Sequence, residues 1–272
     1  MGGIARASRA VGDRDTAPLV LNHQDPQADL CVPLLASADR MRALDPEYPR
    51  IYAVAWMARE PRRRWWPLAA ALSEDRLEQM YARMMRDLGK PDLASAQVAN
   101  VVIHAVVSRV LALIALEGRA WDPGIDNLWL HYDSDGGVDW AGVVDPALRV
   151  LHGDPVARTR RAVEMPCEEA LVVWAAHRCE TTLGPLFARI SEFTGADTER
   201  LWSMVGEAVI GTATYAPQLA GCDDAASLRR GRGFLDALAR SGLPVRTQAS
   251  HVRLRWRGTD PGAVLPTIPA SA

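Results

Sequence analysis

The sequence predicts an α+β protein that is mostly helical, with a small antiparallel sheet and one central, buried helix. Three observations predict this class. Several segments carry apolar residues at helical spacing, two neighbouring segments alternate across a glycine-rich turn, and the stretch from Leu93 to Glu117 is apolar around its whole circumference. A helix that is apolar on all sides has to be covered by protein on all sides, so we expect it at the centre.

The chain has 272 residues, which is enough for one large domain with its own core. Residues 1–17 mix Arg, Gly, Ser and Asp and hold no apolar run long enough for a secretory signal, so they predict a disordered tail. We expect a single α+β domain over residues 18–257 and a flexible tail over residues 258–272.

The first half of the chain predicts strands and helices that alternate up to the central helix. Asp45-Pro46-Glu47 stops one helix, Ser73 can cap another, and Gly118 ends the central helix. The predicted elements are a strand from Leu19 to Asn22, a helix from Leu34 to Leu44, a strand from Ile51 to Met57, a loop from Pro61 to Pro67 and a helix from Ser73 to Gly89.

The second half of the chain predicts a hairpin followed by helices. The hairpin joins Asp126 to Tyr132 with Val138 to Val143 through a turn rich in Asp and Gly, and Pro146 to Arg160 is predicted to be irregular. Prolines and helix caps set the later boundaries. We expect helices at Glu168 to Thr182, Pro185 to Thr194, Asp197 to Tyr215 and Ser227 to Ser241, then a strand from Arg246 to Arg257.

Composition excludes several classes of function. The net charge of −2 gives no basic surplus for nucleic acid, and we expect no membrane span because His104, Ser108 and Arg109 interrupt the most apolar stretch. The four cysteines are scattered without a C-x-x-C pair, which argues against zinc, iron–sulfur clusters and a disulfide framework. We therefore expect a cytoplasmic protein without a metal or cofactor.

Several strings resemble the family of FhuF-like ferric-siderophore reductases. They are VVSRVLALIALEG at 106–118, DNLWL at 126–130, TERLWSMVGEAVIG at 198–211 and HVRLRW at 251–256. The family binds a [2Fe–2S] cluster through cysteines in its C-terminal tail, whereas no cysteine follows Cys222 here. The resemblance therefore implies a cysteine-less relative, either a siderophore-binding or reductase-like module without the cluster, or a protein recruited for other chemistry.

A second resemblance is to the ring-forming subunit that closes the aziridine in azinomycin-type antibiotic pathways. The Asp45-x-Glu47 segment, the size and the composition of 30 arginines and one lysine prompt it. It implies a natural-product enzyme in which an amine displaces a neighbouring sulfate. The expected partners are an amine substrate, free or bound to a carrier protein, and a small partner subunit. Binding of a partner without catalysis is a third alternative.

Two kinds of side chain are candidates for that reaction. Asp45 and Glu47 predict an acid–base pair, because two carboxylates on one side of an extended segment can deprotonate an ammonium, and the alternative is a turn that ends a helix. Arg109 predicts a sulfate-binding residue, with a buried salt bridge as the alternative. His104 is expected to lie too far round the helix to share the face of Arg109 and to be a core histidine.

Further candidates contribute aromatic and basic groups. Arg62 lies in a loop rich in Arg and Trp that could bind an anion or an acidic surface, although a solvated turn is the simpler interpretation. Trp129 and Trp202 could form walls of a pocket or belong to the core. His131, Asp133 and Asp135 alternate along the strand and hairpin tip and resemble a set of three metal ligands, although turn chemistry is the simpler interpretation.

Overall fold

A layer of helices packed beside two small sheets makes up the fold. The computed structural model describes residues 32–134 and 136–245, and all of them lie in one compact unit. The class predicted from the sequence, α+β with a buried central helix, is confirmed. The predicted strands at Leu19 to Asn22 and Arg246 to Arg257 and both predicted tails lie outside the described residues.

Seven α-helices are found in the described part of the chain. They are α1 (Pro33–Ala43), α2 (Arg76–Leu88), α3 (Pro91–Ile103), α4 (Arg109–Glu117), α5 (Glu168–Thr194), α6 (Thr198–Ala220) and α7 (Ala225–Arg240). A π-helical turn, His104–Ser108, joins α3 to α4, so residues 91–117 form one continuous helix. Short 3₁₀ segments occupy Met57–Arg59 and Leu68–Leu72.

This continuous helix, α3 through α4, is the centre of the core. Val98, Val102, Val106 and Leu111 have no exposed surface, and α5, α6 and α7 pack against it. It is the one described helix long and apolar enough to cross a membrane by composition, but most of it is buried inside the fold, as in the core helix of a soluble protein. Gly118 ends it in the left-handed region, with φ 64°, which glycine adopts without strain.

The strands form two mixed sheets. The first contains β1 (Ala55–Trp56), β2 (Trp65–Pro67), β4 (Leu128–Tyr132) and β5 (Val138–Val143), and the second contains β3 (Ala120–Trp121), β6 (Leu148–Leu151) and β7 (Ala162–Met165). The first has the order β1-β5-β4-β2 and the second β3-β6-β7. The β4–β5 hairpin is antiparallel as predicted, whereas β1 with β5 and β6 with β7 are parallel pairs.

Several predicted boundaries are wrong for one shared reason. The predicted strand from Ile51 to Met57 contains only the two-residue β1, although Tyr52, Ala53 and Val54 are buried. Conversely, β2 lies in the predicted loop and β6 in the segment predicted to be irregular. Alternating side-chain sizes indicate that a segment is buried. A strand also requires a neighbouring strand to pair with, which the local sequence does not specify.

Pro185 does not separate two helices, because it lies inside α5. A proline in a helix interior costs about 3 kcal/mol through a lost hydrogen bond and a clash. Leu183, Leu186, Phe187 and Ile190 continue one fully buried stripe across it. Each such side chain contributes about 1.5–3 kcal/mol by burial, so packing outweighs the helix-breaking tendency.

Candidate functional site

A cavity of about 450 Å³, lined by both apolar and polar residues, lies beside the middle of the central helix. Its walls come from that helix, from α6, from the buried segment before β1 and from the first residue of β5. The described residues that line it are Tyr52, Gln97, Asn100, Val101, Ile103, His104, Ala105, Ser108, Arg109, Val138, Ala208, Gly211, Thr212 and Tyr215. Gln97 and Asn100 are exposed, so the cavity opens to solvent beside α3.

The π-helical turn brings His104 and Arg109 to the same wall. In an α-helix, residues five apart point about 140° away from each other. Here the amide of Arg109 donates to the carbonyl of His104, five residues earlier, so one extra residue is accommodated in the turn. The expectation that His104 cannot share a face with Arg109 is therefore wrong, because it assumed regular α-helical geometry. Such turns are frequent at functional sites.

Arg109 is a buried cation with incomplete hydrogen bonding. Its side chain donates from Nη1 to the carbonyl of Ala53 at 2.6 Å and from Nη2 to the carbonyl of Asp139 at 3.4 Å. Its buried Nε has no partner, and no carboxylate in the described ranges forms an ion pair with it. Burial lowers the pKa of Arg109 to about 10, so it remains charged at neutral pH.

His104 is a neutral imidazole on the same wall. Burial, followed by the nearby charge of Arg109, lowers the pKa of His104 from 6.5 to about 3. Its ring lies nearly parallel to that of Tyr52, with the two centroids 6.2 Å apart. At neutral pH it can donate or accept a hydrogen bond but contributes no charge.

Hydroxyl groups from two elements face this pair. Tyr52 is buried, and the side chain of Thr212 on α6 forms a hydrogen bond with it. Burial raises the pKa of Tyr52 above its ordinary value, so the phenol is neutral. Tyr215 lies one helical turn further along α6, and no Asp or Glu is among the described residues that line the cavity. The site therefore combines one cation with neutral donors and acceptors.

Asp45 and Glu47 are not brought to this cavity. They lie in a turn after α1, where the Asp45 Oδ1 accepts hydrogen bonds from the amides of Glu47 and Tyr48, each at 3.1 Å. Glu47 is exposed, and neither carboxylate is among the cavity-lining residues. The segment is a turn and not the extended run that the two prolines predict. The catalytic role of this pair stays a prediction.

The other predicted site residues lie elsewhere. Arg62 is exposed and its guanidinium lies 5.1 Å from the ring centroid of half-buried Trp129, an arrangement that contributes a cation–π attraction. Trp202 is buried in the core and packs edge-to-face against Phe187, with ring centroids 5.0 Å apart. None of these three residues lines the cavity. Among the predicted site residues, only Arg109 does.

The sequence interpretation missed Tyr52, Thr212, Tyr215 and the contribution of His104. One signal was present, because His104, Ser108 and Arg109 are polar residues in the most apolar helix. From that signal the sequence predicts a role for Arg109, whereas it places His104 in the core and assigns no role to Ser108. Nothing in the local periodicity indicates a π-helical turn, and Thr212 lies far from Tyr52 along the chain.

No group of three or more His, Cys, Asp or Glu side chains in residues 32–134 and 136–245 could hold a metal ion. Cys179 is buried, and burial raises its pKa, so its thiol stays protonated.

Comparison of the chain with protein-family models, with curated proteins and with solved structures finds no match. The functional argument therefore depends on the cavity and its residues.

Proposed function

We propose that this chain is an enzyme of natural-product biosynthesis that closes a ring by intramolecular displacement of sulfate by an amine, as in aziridine formation. The observation that carries the proposal is Arg109, a buried cation on a cavity wall whose Nε has no partner. A buried charge of this kind is unfavourable unless it is compensated, and a bound anion compensates it. The planar fork of the guanidinium suits sulfate oxygens.

This reaction depends more on how the substrate is held than on a reactive side chain of the protein. The amine nitrogen forms a bond to carbon while the carbon–oxygen bond breaks, and the electron pair leaves with the sulfate. Arg109 would bind the departing anion, and its remaining N–H donors would stabilise the negative charge that develops on the ester oxygen. Holding nitrogen opposite the leaving oxygen contributes on the order of several kcal/mol in well-oriented systems.

The surroundings of the cavity support a small substrate. A volume of about 450 Å³ is in the range of ligand pockets. Because the cavity opens beside the exposed Gln97 and Asn100, it admits a free amine or one that is tethered to a carrier protein. Three described cysteines, Cys167, Cys179 and Cys222, are free thiols, which suits a reducing cytoplasm.

Titration calorimetry with inorganic sulfate, the proposed leaving group, tests this assignment. We expect wild-type protein to bind sulfate and Arg109→Met to lose roughly 10²-fold or more in affinity, as when one partner of a buried charge pair is removed. Arg86→Met is the matched control, because Arg86 is an exposed arginine on α2 that does not line the cavity. In parallel, 2-aminoethyl hydrogen sulfate is incubated with each protein and released sulfate is measured by ion chromatography.

Equal sulfate affinity in wild-type protein and Arg109→Met would contradict the proposal. Saturable binding of a ferric siderophore by a protein that does not bind sulfate would favour the alternative, a siderophore-binding module without a cluster. Both outcomes can be read by calorimetry on the same preparations.

A further inference from the structure

The charges around the cavity are unevenly distributed. Arg109 is its charged residue, His104 is neutral, and the described lining contains no carboxylate. The nearest acid that acts on Arg109 is Asp139, whose carboxylate is already engaged outside the lining by Arg50 and by the imidazole of His131. Tyr52 and Tyr215 are the remaining titratable groups that face the site. Among the described residues, the lining of the cavity thus carries one positive charge and no negative charge.

This distribution determines which form of an amine the cavity accepts. A sulfate ester bound at Arg109 compensates the guanidinium, so an ammonium on the same substrate would be a second cation without a counter-ion. An amine on the carbon next to the ester is only a few ångströms from the sulfate, and Arg109 is 4% exposed, so the nitrogen also lies inside the cavity. Burying an uncompensated ammonium is costly, and the neutral amine avoids that cost.

We infer that the cavity takes an amino sulfate ester as its monoanion, with the amine already deprotonated, and that the proton is left in solvent when the substrate enters. This inference rests on the proposed function and specifies the ionic form of its substrate. It assigns the activation of the nucleophile to burial beside Arg109 and not to a carboxylate base.

His104 supports the inference as an internal reporter. It is an ionisable base on the same wall, and burial together with Arg109 keeps its imidazole uncharged at neutral pH. A substrate amine on the same wall is subject to the same burial, which disfavours its ammonium form. Lysine side chains that are desolvated beside another cation become nucleophiles in the same way.

The proton balance of the step follows. The substrate loses one proton to solvent on entry, which leaves the nitrogen lone pair free to attack carbon. Ring closure places a positive charge on the ring nitrogen as sulfate leaves with the electron pair. That nitrogen then releases its second proton to solvent as the product leaves.

Proton release on binding is measured by titration calorimetry at pH 7 in two buffers that differ in ionisation enthalpy. For 2-aminoethyl hydrogen sulfate we expect nearly one proton released per molecule bound, because the amine is an ammonium in water. Its N-acetyl derivative, which has no basic nitrogen, is the control and should release none. The difference between the two ligands isolates the amine from any titration of the protein.

A matched pair of ligands tests the same inference without proton counting. Choline sulfate carries a permanent positive charge, and 3,3-dimethylbutyl sulfate has the same shape without it. We expect 3,3-dimethylbutyl sulfate, a monoanion without the ammonium group, to bind at least tenfold more tightly than choline sulfate, both to wild-type protein and to the control variant Arg86→Met.

The outcomes separate this inference from the proposed function. Binding of 2-aminoethyl hydrogen sulfate without proton release, or equal or tighter binding of choline sulfate, would overturn the inference while leaving Arg109 as a sulfate-binding residue. If neither inorganic sulfate nor any of these esters binds, the proposed function fails and the inference fails with it.

Discussion

Two arginines of this fold, the buried Arg109 and the largely buried Arg119, have opposite surroundings. Arg119 donates from Nε and Nη2 to the two carboxylate oxygens of Asp154, at 2.7 and 2.9 Å, and from Nη1 to Glu117 at 3.1 Å. Arg109 donates only to two backbone carbonyls and keeps a buried Nε without a partner. One guanidinium is fully compensated by carboxylates, and the other is not.

The difference separates a structural role from a functional one. Arg119 connects the end of the central helix to the loop between β6 and β7, and Glu117 also accepts hydrogen bonds from Ser37 and Arg40 on α1. Its charge is balanced within the protein. Arg109 lines a cavity and forms no ion pair among the described residues, and its nearest acid, Asp139, is paired with Arg50 and His131, so an external anion can compensate its charge. Similar burial therefore does not imply a similar role.

The largest expected effect is on stability at the compensated site. Arg119→Met should lower the free energy of unfolding by about 3–5 kcal/mol, because it removes the ion-pair partner of the largely buried Asp154, whereas Glu117 keeps its ion pair with Arg40. Arg109→Met should lower it by no more than about 2 kcal/mol, since it removes two hydrogen bonds to carbonyls and also an uncompensated charge. Urea denaturation of both variants checks the difference. Equal losses would remove the distinction drawn between the two sites.

Two glycines of α6 differ in the same way, because Gly206 is tightly packed inside the fold and Gly211 faces the cavity. A Cβ at Gly206 would lie 1.8 Å from the carbonyl oxygen of Val245, whereas a Cβ at Gly211 meets no atom within 4 Å and faces the cavity. Gly206→Ala should destabilise the fold by about 1–3 kcal/mol through overpacking. Gly211→Ala should be neutral or stabilising by up to about 1 kcal/mol, because alanine favours helix. Thermal unfolding of the two variants measures this, and destabilisation by Gly211→Ala would mean that the cavity wall is closed.

The two sites should also respond to acid in different pH ranges. The pKa of His104 is about 3 in the folded chain and about 6.5 when unfolded, so the unfolded chain binds the extra proton and stability falls as pH drops from about 6.5 toward 3. Burial raises the pKa of Asp154, but hydrogen bonds from Arg119 and the Val156 amide outweigh it, so its net shift is downward. The stability from Asp154 is therefore lost only below about pH 3.8.

This separation can be measured between pH 7 and pH 5. Wild-type protein should lose on the order of 1–2 kcal/mol through His104 over that interval. His104→Gln, which cannot take up the proton, should lose correspondingly less in the same urea titrations. An identical acid response in both proteins would show that the imidazole is not held neutral by the fold.

The smallest effect is expected at the turn that follows α1. Asp45→Asn and Glu47→Gln should change stability by less than about 0.5 kcal/mol, because an asparagine oxygen at position 45 can still accept from the two turn amides and Glu47 is exposed. If the amine is deprotonated by the cavity, both variants should release sulfate from 2-aminoethyl hydrogen sulfate within about twofold of wild-type rates. A loss of roughly 10² that is partly rescued at higher pH would instead assign the acid–base role to this pair.

Much of the helical framework was determined by the sequence itself. The circumferential apolar pattern of residues 93–117 placed that helix in the centre, since no other location covers it on every side. The Asp and Gly turn between β4 and β5 predicted the hairpin, and of the two residues that could cap α6, Asp197 and Thr198, it is Asp197 whose side chain accepts a hydrogen bond from the amide of Glu199. These features depend on neighbours along the chain.

The tertiary structure alone decided the sheets and the site. The parallel partner of β1 is β5, which is distant in sequence, and the carbonyl of Ala53 accepts a hydrogen bond from Arg109. The sequence marked Arg109 as unusual, because a charge in an apolar helix needs compensation. It did not show that a π-helical turn would place His104 beside it, or that α6 would supply Thr212. Those relations depend on how distant segments pack, and the local periodicity of the sequence does not predict that packing.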